Sequence, residues 1–410
     1  MKLVVSVLLS AAMLTAADLT LDHPDPNAAG MSADILEHIP LRMKEFVSEG
    51  KTAGVVTVVA RKGQVASVET VGYQSLEKKT PMRADTLFRI ASLTKPVTCA
   101  AIMILVDEGH LSLRDPVEKY LPEYKGLRMN SCGTLAGFNC AGRPPARPIN
   151  IEDLMTHTSG LPSSLDSAKG EEPKTLAELV ARGAKTELLF EPGTEWNYSN
   201  LGIDLLGRIV EVIAKQPFDR FLRERIFEPL GMKDTFFFVP PEKRSRLASL
   251  YTYQAGKLIL TDADWGEGHG QGIPSPAGGL VSSALDLLRF NEMMREGGSL
   301  GGRRILSPAA VHLMTISHTG DMKAGWSPGV GHGYGYEVVR DVEGMFRYSS
   351  LGTFCKGGAY RTYEFVDPKK ELVGIILMQR TNGGDVDDEI NSFMQISAAA
   401  VTGPASNRDN

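Results

Sequence analysis

A chain of 410 residues is long enough for one large domain or two of moderate size. With 42% hydrophobic and 23% charged residues, it has the composition of a soluble globular protein. A net charge of -5 leaves no basic footprint, which argues against nucleic acid or an anionic membrane surface as a partner.

The N-terminus reads as a secretory leader. Lys2 is followed by a short apolar run over 3–14, and Thr15-Ala16-Ala17 forms a small-residue cleavage site. The run is too short to span a bilayer, so export to the periplasm or beyond is expected, with no stable membrane anchor. An uncleaved N-terminal anchor is the alternative. No cysteine follows the cleavage site, which argues against lipid attachment there. Residues 1–17 are set apart from the fold. Export permits disulfides. Cys132 and Cys140, close together in a loop with Gly and Asn, are candidates to staple it. Cys99 falls in an apolar helical pattern and reads as a small buried residue.

Ser32 opens a helical pattern that Gly50 ends, with a bend expected at Pro40. Two β-rich runs, 54–60 and 64–71, flank Arg61-Lys62-Gly63 and signal a hairpin. Next comes 88–96, where Ser92 and Lys95 lead into an apolar pattern at Val97, Ala100, Ala101, Ile104 and Leu105 that Gly109 stops. From about Pro116 to Pro276 the texture is of short helices between Pro- and Gly-rich loops, clearest at 175–184, 200–215 and 218–229. Helices at 280–295 and 307–316 follow, the latter with Pro308 in its first turn. Strand texture returns at 335–342, 345–349, 359–366 and 371–379, and a closing amphipathic helix is expected over 385–401.

The simplest assembly is an α+β fold. Residues 18–115 and 277–402 would share one antiparallel sheet, with the first and last helices on one face. Residues 116–276 would form an inserted, mostly helical lobe, and 403–410 a disordered tail. The cleft between the lobes is the natural place for a site.

Three short stretches carry chemistry. In the S-x-x-K pair, three-residue spacing on a helix puts Ser92 Oγ and Lys95 Nζ on one face. A serine hydroxyl is a weak nucleophile until a base takes its proton. Lysine is that base only where desolvation or nearby positive charge lowers its pKa. Moving it from about 10.4 to about 7 costs roughly 4–5 kcal/mol, so the surroundings must be built for it. The plainer alternative is a serine N-cap followed by a surface lysine. In the Y-x-N triplet, Tyr198 can shuttle a proton if held near positive charge, and the Asn200 amide can bind both substrate and lysine. Its plainer alternative is a turn tyrosine and an N-cap asparagine. The third stretch, Lys356-Gly357-Gly358-Ala359, precedes a predicted strand, and its glycines let a backbone approach a ligand closely. The Ala359 N–H would join that of Ser92 as an oxyanion hole, and Lys356 would set a cation beside Tyr198. A hairpin turn with an exposed lysine is the alternative there.

These pieces, in this order, resemble the serine β-lactamase and penicillin-binding-protein superfamily, whose pattern is S-x-x-K, Y-x-N and then K-T-G or a variant. The branch indicated holds the class C β-lactamases, D,D-peptidases of that type and the family VIII carboxylesterases. Segments 85–92 (D-T-L-F-R-I-A-S), 147–161 (R-P-I-N-I-E-D-L-M-T-H-T-S-G-L), 278–283 (G-G-L-V-S-S) and 366–368 (V-D-P) add to the likeness, which runs from about Ser32 to Ala400. It implies that Ser92 is acylated, that Lys95 and Tyr198 share general base and acid work, and that Asn200 positions the acyl side chain and Lys95. Lys356 would support Tyr198, with Gly357 and Gly358 as the strand edge. The departure is K-G-G in place of K-T-G, which removes a hydroxyl that helps hold a β-lactam carboxylate. Lys356 is lactamase-like and Gly357 esterase-like.

The expected function is therefore an exported serine hydrolase acting on small-molecule esters or amides, favouring esters of small or medium acyl groups. The alternatives are a β-lactamase or D-amino-acid peptidase and, in another class, a non-catalytic homologue that holds peptidoglycan or a lipid. No cofactor is implied. The eight histidines show no metal-binding spacing. Gly297-Gly298-Ser299-Leu300-Gly301 matches G-x-S-x-G but lacks the strand before and helix after that the motif needs. His157 is expected to organise a turn. His269, His332, Trp196, Trp265, Trp326, Tyr334 and Tyr336 are candidates to border the cleft, with ordinary packing as the alternative.

Overall fold

The computed structural model describes residues 19–130, 142–165, 173–261, 272–342, 348–381 and 388–403. The leader-like 1–17, Cys132 and Cys140, Trp265, His269, the 345–347 part of one expected strand and all but Gly403 of the tail lie outside them.

The fold is the expected α+β arrangement, a large antiparallel sheet flanked by helices. Its strands are β1 (Gly54–Arg61), β2 (Gln64–Ser75), β3 (Thr80–Pro81), β4 (Val330–His332), β5 (Glu337–Val339), β6 (Phe354–Gly358), β7 (Thr362–Asp367) and β8 (Leu372–Leu377). They lie in the order β4-β5-β6-β7-β8-β1-β2-β3, so the two ends of the chain meet where β1 pairs with β8. The β1–β2 turn puts Lys62 and Gly63 both at positive φ, the two-residue geometry that matches strand twist.

Alternation along the strands feeds two cores. Val56, Val58, Ile375 and Leu377 face a large core shared with helices α3 (Thr94–Asp107) and α7 (Ala284–Arg295). Val55, Val59, Phe365 and Ile376 face the second, under α1 (Ala33–Leu36), α2 (His38–Ser48) and α8 (Asp388–Ala399). Helices α4 (Ile151–Met155), α5 (Leu176–Gly183) and α6 (Asn200–Ala214) pack on the far side of α3.

Several elements differ from expectation. The first helix breaks at Glu37 and does not bend at Pro40. Pro40 has no N–H for the Leu36 carbonyl, so a new helix starts with the proline in its first turn. The helix expected from 280 begins at Ala284, capped by Ser283, because Val281–Ser282 pairs with Phe88–Arg89. Residues 116–276 also contain a hairpin, Tyr251–Gln254 with Lys257–Leu260, turning on Ala255 and Gly256 at positive φ. The late strands are shifted as well. Lys356-Gly357-Gly358 lies within strand β6, and 359–361 is the turn that follows, with Arg361 at positive φ. Strand β5 covers only Glu337–Val339 of the 335–342 run, and β4 before it was not foreseen.

That last arrangement shapes the site. β5 pairs with β6 only through Val338↔Phe354 and Glu337↔Cys355. Among the described residues no strand pairs with Gly357 and Gly358 on that side, while β7 pairs along the other.

Candidate active site

Ser92 stands in a 3₁₀ turn, Ala91–Leu93, that runs into α3. Ala91 has φ of 47°, costly for any residue with a Cβ. The turn is held on every side. Ile90 N donates to Leu280 O at 3.0 Å, Thr94 Oγ1 donates to Ala91 O at 2.7 Å, and Thr362 Oγ1 of β7 donates to Ile90 O at 3.0 Å. Nothing in the residue pattern announced the Ala91 conformation.

Lys95, one turn on, is wholly buried and not a surface lysine. Its Nζ reaches Ser92 Oγ at 3.1 Å, Asn200 Oδ1 at 2.8 Å and Ala277 O at 2.6 Å. The last two are carbonyl acceptors and take two N–H bonds. The remaining position on the nitrogen faces Ser92, with a proton in the ammonium form and a lone pair in the amine. Tyr198 OH donates to the same Ser92 Oγ at 2.9 Å. Asn200 is the first residue of α6, whose N-cap is Ser199, so its amide is left for Lys95. Two stretches far apart in sequence, 92–95 and 198–200, thus converge on one hydroxyl.

The loop carrying Tyr198 rests on His157. Asn197 N donates to His157 O at 2.9 Å, and Ser199 N donates to His157 Nδ1 at 3.2 Å. His157 itself has φ of 61° and lies 4.5 Å from the Tyr198 ring. Below it, the Asn150–Asp153 capping box and the Arg147–Asp153 ion pair fix α4 and the 147–161 segment. His157 organises this turn and makes no hydrogen bond to Ser92. His332 is equally buried, 4.8 Å from the His157 ring. Burial, then Lys356, holds its imidazole down to about 3, and burial pushes His157 well below the usual range, so both are neutral.

Lys356 projects from β6 with 1% exposure. Its Nζ lies 4.8 Å from the Tyr198 ring centre, and that of Lys95 lies 4.7 Å from it. The phenol is therefore bracketed by two cations. Burial alone would raise it, but Lys356, then Lys95, and the hydrogen bonds outweigh that and bring it to about 8. Lys95 is lowered, chiefly by burial and further by Lys356. Lys356 is pulled down by burial, yet Tyr198 and Glu337 carry it above the usual lysine value. Gly358 lies so close to the Ser92 turn that a Cβ would stand 2.5 Å from Ile90 O, and Ala359 is exposed just past the strand end.

Along the open edge runs a cavity of about 280 Å³, walled by Trp326, Glu337, Cys355, Tyr363 and Ile390 besides Gly357 to Ala359. Trp326 overhangs it, 69% exposed and 5.6 Å from the Tyr198 ring. Trp196 contacts both rings, at 5.8 Å and 6.3 Å. Tyr334 and Tyr336 are core residues and do not border the cleft. The G-x-S-x-G match begins in a glycine turn after α7, without the strand–turn–helix of a nucleophile elbow. Cys99 is buried against α3's neighbours and burial pushes its thiol up to about 12. Among the described residues, no group of three or more His, Cys, Asp or Glu is placed to hold a metal, and no helix is long and apolar enough to cross a membrane.

Residues 41–398 match the family model described as Beta-lactamase. Protein Rv1367c of Mycobacterium tuberculosis (strain ATCC 25618 / H37Rv) is 35% identical, over 88% of this chain and 92% of its own. Esterase EstB of Burkholderia gladioli is 29% identical, over 90% and 95%. The solved structure of EstCE1, a hydrolase with promiscuous acyltransferase activity, superposes with a TM-score of 0.75 at 27% identity, over 90% of this chain and 98% of that one. With its converging serine, lysine and tyrosine set in a fold matched along almost all its length, the chain belongs to the β-lactamase family and is a serine hydrolase of that fold.

Proposed function

We propose that this enzyme is a carboxylesterase for esters of small or medium acyl groups, working through an acyl-enzyme on Ser92. The observation that carries the proposal is a single hydroxyl, Ser92 Oγ, with a buried amine at 3.1 Å and a phenol at 2.9 Å, each holding its proton less tightly than usual. Lys95, as the amine, takes the Ser92 proton as Oγ bonds to the ester carbon. The N–H groups of Ser92 and Ala359 receive the oxyanion. Tyr198 hands its proton to the departing alkoxide as the ester C–O bond breaks, and the Lys95 ammonium reprotonates the phenol. Water repeats the sequence on the acyl-enzyme, releasing the acid and restoring Ser92. Asn200 holds both the amine and the acyl side chain.

Preference for esters is supported by the absence of a hydroxyl at Gly357 and by likeness to proteins named esterase and hydrolase. Retention of Lys356 keeps a β-lactamase or D-amino-acid peptidase as the second reading. The leader-like 1–17 supports export.

A fluorophosphonate should label the wild type and not Ser92→Ala. Equal labelling of the two defeats the enzyme mechanism. A p-nitrophenyl ester, a chromogenic cephalosporin and a D-Ala peptide, assayed side by side, then rank the substrates. Turnover of the cephalosporin or peptide above the ester replaces the esterase reading with the second one.

A further inference from the structure

The third partner of Lys95, the Ala277 carbonyl, lies in none of the motifs, yet its place is built by side chains from two helices. The Pro276–Ala277 peptide is gripped at both ends. Thr98 Oγ1 of α3 donates to Pro276 O at 2.7 Å, and Asp204 Oδ1 of α6 accepts from Ala277 N at 3.2 Å. Gly207, one turn beyond Asp204, admits the loop, because a Cβ there would stand 2.2 Å from Pro276 Cγ. With that peptide fixed, the next carbonyl is aimed at Lys95 Nζ, 2.6 Å away. Asp204 is 5% exposed. Among the described residues, the titratable groups acting on it or acted on by it are Lys95 from α3 and Tyr124 from the turn Pro122–Tyr124. Helices α4 and α5 bring the apolar Leu154 and Leu176 to this part of α6.

We propose that Asp204 and Thr98 are a positioning pair for Lys95. They orient the carbonyl that fixes the amine's lone pair on Ser92, and the Asp204 carboxylate sets a negative charge behind the amine. The proposal rests on the acyl-enzyme reading of Ser92 and deepens it. Neither residue touches Ser92. Burial raises the Asp204 carboxyl to about 7, against the pull of Lys95 and the Ala277 N–H, so its charge develops within the neutral range. That charge favours the ammonium form of Lys95. Removing it lowers the proton affinity of the amine, and the acid limb of the rate profile moves to lower pH.

The test follows kcat and KM for a p-nitrophenyl ester from about pH 5 to about pH 10 in wild type, Asp204→Asn, Thr98→Val and Thr98→Ser, with thermal melting and fluorophosphonate labelling of each. Asp204→Asn keeps an oxygen for Ala277 N. It should lower kcat about threefold to tenfold, leave KM within about twofold, and move the acid limb down by about half a pH unit or more. Thr98→Val should lower kcat about fivefold without moving the limb, and Thr98→Ser should restore it. An Asp204→Asn enzyme with the wild-type acid limb overturns the proposal, as does Thr98→Ser performing no better than Thr98→Val. Failure of the acyl-enzyme reading is distinct, since the wild type would then label no more than Ser92→Ala.

Discussion

Lys95 stands at the start of a helix and Lys356 within a strand, both almost wholly buried and both beside the Tyr198 ring. Their proton affinities nonetheless move apart, Lys95 downward and Lys356 upward. Depth of burial does not explain the difference, because it acts on both in the same direction. The neighbours do. Lys95 is given carbonyl dipoles and a hydroxyl, partners that serve the amine as well as the ammonium. Both lysines also feel the Tyr198 phenol and a carboxylate, Asp204 for Lys95 and Glu337 for Lys356, which favour the charged form, but Lys95 is lowered in addition by the charge of Lys356. One site thus keeps a lysine able to give up its proton and another held as a fixed cation, with a single tyrosine between them.

Substitutions that break this contrast should rank by how directly they touch the proton path. Ser92→Ala removes the acyl acceptor and should lower kcat for a p-nitrophenyl ester on the order of 10⁴-fold or more, with KM little changed. Lys95→Met should follow at about 10³-fold, and Lys356→Met at about 10–100-fold, since the second removes only a supporting charge. An equal loss for the two lysines would abolish the distinction drawn between them. The pH profile sharpens it. Activity should fall on the alkaline side near the Tyr198 value of about 8, as the phenol loses the proton it donates. Lys356→Met removes a cation that lowers this value, so the alkaline limb should move upward, toward or above about 10. A limb that stays in place assigns it to another group. Gly358→Ala forces a Cβ to within 2.2 Å of Thr362 Oγ1 and 2.5 Å of Ile90 O, and should destabilise the fold by about 1–3 kcal/mol in denaturant unfolding. Gly357→Thr has room, its nearest neighbour being the Tyr363 ring at 3.5 Å. It should raise cephalosporin hydrolysis relative to ester hydrolysis by less than about tenfold, the smallest of these effects.

The contrast also marks what the residue pattern could disclose. Ser92 with Lys95 was legible because helical spacing alone brings them together, and Tyr198 with Asn200 because they sit against a clear helix start. The identity of Lys356 was legible, but its secondary structure was not. Two glycines in a row read as a turn, and only pairing with β7, which lies later in the chain, makes them a strand. The hairpin at Tyr251–Gln254 and Lys257–Leu260 did carry a local signal, two β-rich runs about Ala255-Gly256, that the helical texture around it masked. Asp204, Thr98 and the strained Ala91 gave no signal at all. Each acquires its role from a contact across the fold, and a lone aspartate within an apolar helix has the same appearance whether it faces solvent or a peptide group.

Because β5 stops opposite Cys355, the main-chain N–H and C=O of Gly357 on that flank meet no strand among the described residues. An extended peptide could supply both a donor and an acceptor there and continue the sheet by one short rung. An ester has no N–H to offer and can only accept. The ratio of turnover for matched ester and amide substrates, lengthened one residue at a time along this flank, would therefore report whether the bare rail guides substrate or is merely left uncovered.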